Sequence, residues 1–160
     1  MSRLASLLLL VLALATGCGF QLRGQTPLPP VVASPFVEAE DHYSPLYAAL
    51  DKRLRASGAT PAADATKATA VIRLHVDDTG RDLLSVTADN KPGEYEVYYT
   101  AEFSVTSGAT ELIERKQVKL TRDYGYDESA VLAKEHEEGF LRDALAEEIA
   151  DLILRRLAAL

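Results

Sequence analysis

Cys18, three histidines and a scatter of acids are the side chains whose types could carry chemistry in this sequence. Cys18 is the only cysteine, so no intramolecular disulfide can form. A lone cysteine can be a buried thiol, a nucleophile or an acylation site, and its position decides among these. His42, His75 and His136 fall in three separate stretches without metal-ligand spacing. His75 and Asp77 alternate along one strand and are expected on one face, as many solvent-facing pairs are. His136 lies within Glu135-His136-Glu137-Glu138, which reads as a solvated helix face before it reads as a zinc site. There is no Gly-rich phosphate loop and no nucleophile elbow. Tyr124 and Tyr126 flank a glycine ahead of the last helix and read as packing residues. The residues therefore point to a protein that is not an enzyme and needs no cofactor or metal.

The position of Cys18 is informative. Met1-Ser2-Arg3 is a short positive start, and Leu4 to Leu14 is an almost unbroken apolar run. That run suits a signal-peptide core and is too short for a spanning helix, which needs about 20 residues. Ala15, Thr16 and Gly17 then supply small residues before Cys18, an arrangement that resembles a bacterial lipobox. Ala15 departs from it, since Leu is commonest there. Residues 1–17 are expected to be a signal peptide and Cys18 the lipidation site. Each buried methylene contributes about 0.8 kcal/mol, so two or three acyl chains anchor a protein stably. Gly19 follows; an Asp there would resemble the inner-membrane retention signal of enteric bacteria. The expected location is the outer membrane, anchored from the periplasmic side.

The remaining chain has room for one domain within 160 residues, and 48% of the residues are apolar, enough for a core. Net charge is −7, near −8 once residues 1–17 are removed. Such a chain is a poor nucleic-acid binder, because phosphate contacts need clustered Lys and Arg. Pro27, Pro29, Pro30 and Pro35 mark residues 18–34 as a lipid anchor and stiff, extended tether. Residues 35–160 are the expected folded domain.

Its elements follow from pattern. A first strand begins at Val31-Val32 or at Phe36-Val37. Ser44-Pro45 opens a helix with N-cap and first-turn chemistry, Leu46, Leu50 and Leu54 repeat along it, and Gly58 stops it. Lys52, Arg53 and Arg55 form a solvated basic last turn. Gly58 to Thr69 is a loop. Val71–Asp77 and Leu83–Ala88 read as two strands. Asp89-Asn90-Lys91-Pro92-Gly93 is a turn. In Glu94–Ser107 the residues Tyr95, Val97, Tyr99, Ala101, Phe103 and Val105 share one face, the mark of a half-buried antiparallel strand. Glu111–Tyr124 is a more polar strand. From about Glu128 the chain is helical, with Leu141, Leu145, Ile149, Leu152, Ile153 and Leu157 in a stripe and Gly139 as its weak point. The expected class is α+β: a two-layer sandwich in β-α-β-β-β-α order. Its mainly antiparallel, four- to five-stranded sheet has both helices packed on one face. The other face is left open, with Tyr98 on it.

Four stretches carry a resemblance to a known family. Cys18-Gly19-Phe20-Gln21-Leu22-Arg23-Gly24 resembles the mature start of the lipopolysaccharide-assembly lipoproteins, the LptE family. Glu94-Tyr95 opens the long strand as in that family. Leu132-Ala133-Lys134-Glu135-His136-Glu137 resembles its Leu-Ala-Lys-x-x-Glu signature, and Leu154-Arg155-Arg156-Leu157 resembles the end of its last helix. The resemblance implies a non-catalytic plug for the LptD outer-membrane β-barrel. Such a plug aids barrel folding and assists insertion of lipopolysaccharide into the outer leaflet. It also implies lipopolysaccharide contact by Lys134. The hairpin position that is basic in enteric relatives is Ala88 here, which leaves Lys91 and Arg81 as substitutes. The alternative reading is a free-standing periplasmic lipoprotein that binds a lipid or peptide on its open sheet face. A lipoprotein hydrolase is a third, opposed by the lack of a nucleophile-base pair.

Overall fold

The computed structural model describes residues 27–160. Cys18, the signal peptide and the first family motif lie outside the described residues.

Among the described residues four strands form one sheet in the order β1-β2-β3-β4, with β1 Pro35–Glu38, β2 Ala70–Val86, β3 Pro92–Ser107 and β4 Thr110–Gly125. β1 runs parallel to β2, and the other neighbours are antiparallel. Two helices, α1 Pro45–Ala56 and α2 Val131–Leu157, cover one face. The architecture is the expected two-layer α+β sandwich, with the β1–β2 pairing making the sheet mixed. Among the described residues no helix is long and apolar enough to cross a membrane.

The buried face forms where alternation is strict. Val97, Tyr99, Ala101, Phe103 and Val105 of β3 are all fully buried. They meet Leu46, Leu50 and Leu54 of α1 and Leu145, Ile149, Ile153 and Leu157 of α2, which are also fully buried. Each large apolar side chain buried this way contributes about 1.5–3 kcal/mol. Lys52 Nζ lies 3.1 Å from Glu147 and Arg53 Nε 2.9 Å from Asp151, so the basic last turn of α1 faces acids of α2 as well as solvent. α2 runs unbroken through Gly139, where an added Cβ would meet open space.

The N-cap expectation holds: Ser44 Oγ accepts from the Tyr47 amide at 3.0 Å, and Pro45 opens α1. The first strand is the Phe36-Val37 alternative. Pro30–Val32 is a short 3-10 turn, and Val32 is fully buried. Ser34 donates through Oγ to the Thr60 carbonyl at 2.9 Å, so the chain just before β1 is fastened to the body.

Two details differ from the sequence reading. Val71–Asp77 and Leu83 onward are one continuous strand, β2, because Asp78–Asp82 pair with β3 in unbroken register. Its polar run gave no apolar alternation to follow. Thr87 and Ala88 leave the strand for the hairpin turn, where Asn90 takes a left-handed φ of 59°. Second, His75 and Asp77 do not share a face. The register jumps from Leu74 opposite Phe103 to Val76 opposite Glu102, so His75 is the extra residue of a bulge. A bulge inverts the alternation beyond it. His75 therefore meets Ser104 on the open face, whereas Asp77 turns toward the helices.

Candidate functional site at the hairpin end

Beyond the bulge, β2 presents Asp77, Thr79, Arg81 and Leu83 to the helix side, opposite Ala101, Tyr99, Val97 and Tyr95. That placement aims Arg81 at the first half of α2. Arg81 Nη1 lies 2.6 Å from Glu138 Oε2, and its guanidinium stands 4.7 Å from the Tyr95 ring centre. Arg142 Nη2 reaches the other Glu138 oxygen at 2.5 Å, and the Tyr124 hydroxyl donates to Glu138 at 3.0 Å. Tyr95 stacks on Tyr124 and meets Tyr126 edge-on. The hydrogen bond to Tyr124 and the Glu138 carboxylate hold the Arg81 guanidinium firmly protonated. Burial raises the Tyr124 phenol, with Glu138 adding to it and Arg81 opposing.

Lys91, at the end of the hairpin turn, bonds Glu128 at 2.6 Å, and that carboxylate raises its pKa. Hairpin and helix start are thus joined twice, through Lys91–Glu128 and Arg81–Glu138. Lys134 sits one turn into α2 and pairs within the helix, with Glu137 at 2.8 Å. Its charge also helps lower the Asp127 carboxyl, after the hydrogen bonds from Ser129. Ala88 is exposed in the turn itself and adds no charge. Arg81, Lys91 and Lys134 therefore all lie on the far half of the β2–β3 hairpin or on the first half of α2. Each has a carboxylate partner.

The same end exposes large apolar side chains. Leu83, Leu84 and Val86 on the hairpin are each about half exposed, and Leu132 and Phe140 on α2 are 74% and 73% exposed. Leu132, His136 and Phe140 recur every four residues, which aligns them along one helix face. Glu138, Arg142 and this apolar stripe were missed by sequence reasoning. The eight-residue spacing of Leu132 and Phe140, two steps of four through His136, was the signal available. Cations beside exposed apolar groups make a surface suited to an amphiphile carrying anionic groups.

At the other end of the sheet, His75 Nε2 lies 2.8 Å from Ser104 Oγ on the open face. Burial and the charges of Arg115 and Arg73 lower the histidine pKa. This is a hydroxyl beside a base, which the sequence did not show, because the two residues come from different strands. No carboxylate among the described residues hydrogen-bonds the ring to orient it. Farther along the open face the Tyr98 ring lies across Gly80, where a Cβ would come within 2.7 Å of the hydroxyl, and Lys119 Nζ stands 5.0 Å from the ring centre. No group of three or more metal-ligating side chains occurs among the described residues.

With that geometry in place, comparison with known proteins assigns the family. The lipopolysaccharide-assembly (LptE) family model matches residues 35–157. The chain belongs to the LptE family. It is 30% identical over 157 residues to the LPS-assembly lipoprotein LptE of Pectobacterium atrosepticum, covering 97% of this chain and 85% of that one. It is 29% identical to the protein of the same name from Yersinia enterocolitica, over 94% and 75% of the two chains. Among solved structures it is similar to rare lipoprotein B of Shewanella oneidensis, with TM-score 0.68, 29% identity and coverage of 79% and 95%. Lipoprotein B of Nitrosomonas europaea, at TM-score 0.73 and 23% identity over 88% and 91%, shares the fold. Family membership carries a role in lipopolysaccharide transport by a lipoprotein.

Proposed function

We propose that this LptE-family chain is an outer-membrane lipoprotein, anchored through Cys18, that plugs the LptD β-barrel. In that position it aids barrel folding and assists delivery of lipopolysaccharide to the outer leaflet. The observation that carries the reading is the hairpin end. There Arg81, Lys91 and Lys134 stand beside exposed Leu83, Leu132 and Phe140, the pairing of charges and apolar groups that a phosphorylated glycolipid needs. The role is binding and positioning, without a catalytic step. Among the described residues no carboxylate hydrogen-bonds the His75 ring, so the Ser104–His75 pair lacks the orienting group of a nucleophile-base site.

The test is purification of the full-length lipoprotein from detergent-solubilised outer membranes. Recovery with a large β-barrel, identified as LptD, is the expected result. Recovery without any barrel sinks the plug reading. It would favour the free-standing periplasmic lipoprotein, which would use the open face bearing Tyr98 and Lys119.

A further inference from the structure

The two edges of the sheet are protected very differently. β4 is an edge over its full length, and it carries Glu111, Glu114, Arg115, Lys116, Lys119 and Arg122. Its lysines, Lys116 and Lys119, discourage strand addition. β2 is the second edge over most of its length, because β1 pairs only with Ala70–Arg73. From Val76 to Leu83 it pairs with β3 in eight consecutive positions without a register shift. Among the described residues, none of these eight makes a backbone hydrogen bond outside the strand ladders. The stretch contains neither proline nor lysine, and Asp78, Arg81, Asp82 and Leu83 are exposed. Alternate backbone N–H and C=O groups therefore face outward in a regular row.

We propose that the Val76–Leu83 edge of β2 is a docking edge for an extended strand of a partner protein, one bearing Lys or Arg at alternate positions. Charge selects this occupant. On the open-face side the edge shows Asp78 and Asp82 on either side of Gly80, and neither joins an ion pair among the described residues. A second copy added antiparallel about Gly80, with both open faces on one side, sets Asp78 against Asp82. Such like-charge pairs are unfavourable across strands. A partner strand with cations on that face answers both aspartates while its backbone completes the ladder. The inference stands apart from the barrel reading, since the strand's chemistry and not its owner is specified.

Amide hydrogen exchange of the full-length chain tests it, compared between isolated cell membranes and the protein purified alone in detergent. Every second amide from Val76 to Leu83 should exchange about tenfold or more slowly in membranes, and the Asp78→Lys/Asp82→Lys double variant should lose that protection. The amides of β3 should stay protected throughout, which shows that the variant is folded. Equal rates in membranes and detergent overturn the proposal. So does protection that the double variant keeps, or protection that grows with concentration in the purified protein and thereby identifies a second copy. A barrel that co-purifies while the edge amides exchange freely sinks the strand proposal and leaves the plug reading intact.

Discussion

The Tyr99 hydroxyl donates to Asp77 Oδ1 at 2.6 Å, joining the centre of β3 to the turned-in half of β2. The Asp77 carboxylate also accepts from Ser44 Oγ at 2.5 Å, and the Leu46 amide donates to the Tyr99 oxygen at 3.2 Å. A carboxylate thus sits against the N-terminus of α1, where the helix dipole favours negative charge. The knot fixes α1 to the sheet at one point. Its position depends on the bulge at His75, without which Asp77 would face the other way.

Asp77→Ala should therefore destabilise the fold by about 2 kcal/mol, because two buried donors lose their acceptor. Urea unfolding midpoints measure this. A loss below about 0.5 kcal/mol would show that the knot is dispensable.

Alkaline pH should weaken the protein through the same tyrosine. Burial, and then Asp77, raise the Tyr99 pKa well above the ordinary 10.0. A phenol whose folded pKa is raised gives stability that is fully present below its unfolded pKa and is lost as pH climbs beyond it. Stability should fall between about pH 9 and about pH 11, and Tyr99→Phe should flatten that fall. Tyr124, shifted in the same direction, leaves a residual slope. An unchanged slope in the variant would remove Tyr99 from the account.

Glu138→Gln should cost about 1–2 kcal/mol, because Arg81 and Arg142 would then share a half-buried site without their common anion. Lys91→Ala should cost little, since its pair with Glu128 is exposed. Comparing the two variants by thermal unfolding separates the link that holds the hairpin to α2 from the one that merely touches it.

The contrast between these residues shows what the sequence could reveal. Ser44-Pro45 and the β3 alternation were legible because their signals are local: a cap acts within three residues, and a strand face repeats every two. The bulge at His75 left no mark, because Ile72, Leu74 and Val76 keep an unbroken apolar alternation across it. Glu138 looked like one more acid in a solvated run, and only the return of α2 across the hairpin brings Arg81 to it. Arg81 and Lys91 were reached only through the resemblance, as substitutes for Ala88, and their partners came from the fold.

Leu132→Ser and Phe140→Ser should leave stability within about 0.5 kcal/mol, since both side chains are mostly exposed. On the proposed reading they should weaken capture of lipopolysaccharide by the purified protein. Equal binding by the double variant would mean that the apolar stripe serves another contact.

Lys134→Asp tests the charged half of that surface. Its pair with Glu137 spans three residues on one helix and is worth only a few tenths of a kcal/mol, so the helix should stay folded by circular dichroism. A cation on a phosphate contributes more, because a charge-assisted hydrogen bond is about twice as strong as a neutral one. Replacing it with a carboxylate also adds repulsion. Binding of lipopolysaccharide should fall by roughly tenfold, equivalent to about 1.4 kcal/mol. Rescue by Lys134→Arg should restore most of it, because the guanidinium keeps the charge and the reach. If Lys134→Asp binds as the parent does, Lys134 is a surface charge alone and the anionic contact must lie with Arg81 or Lys91.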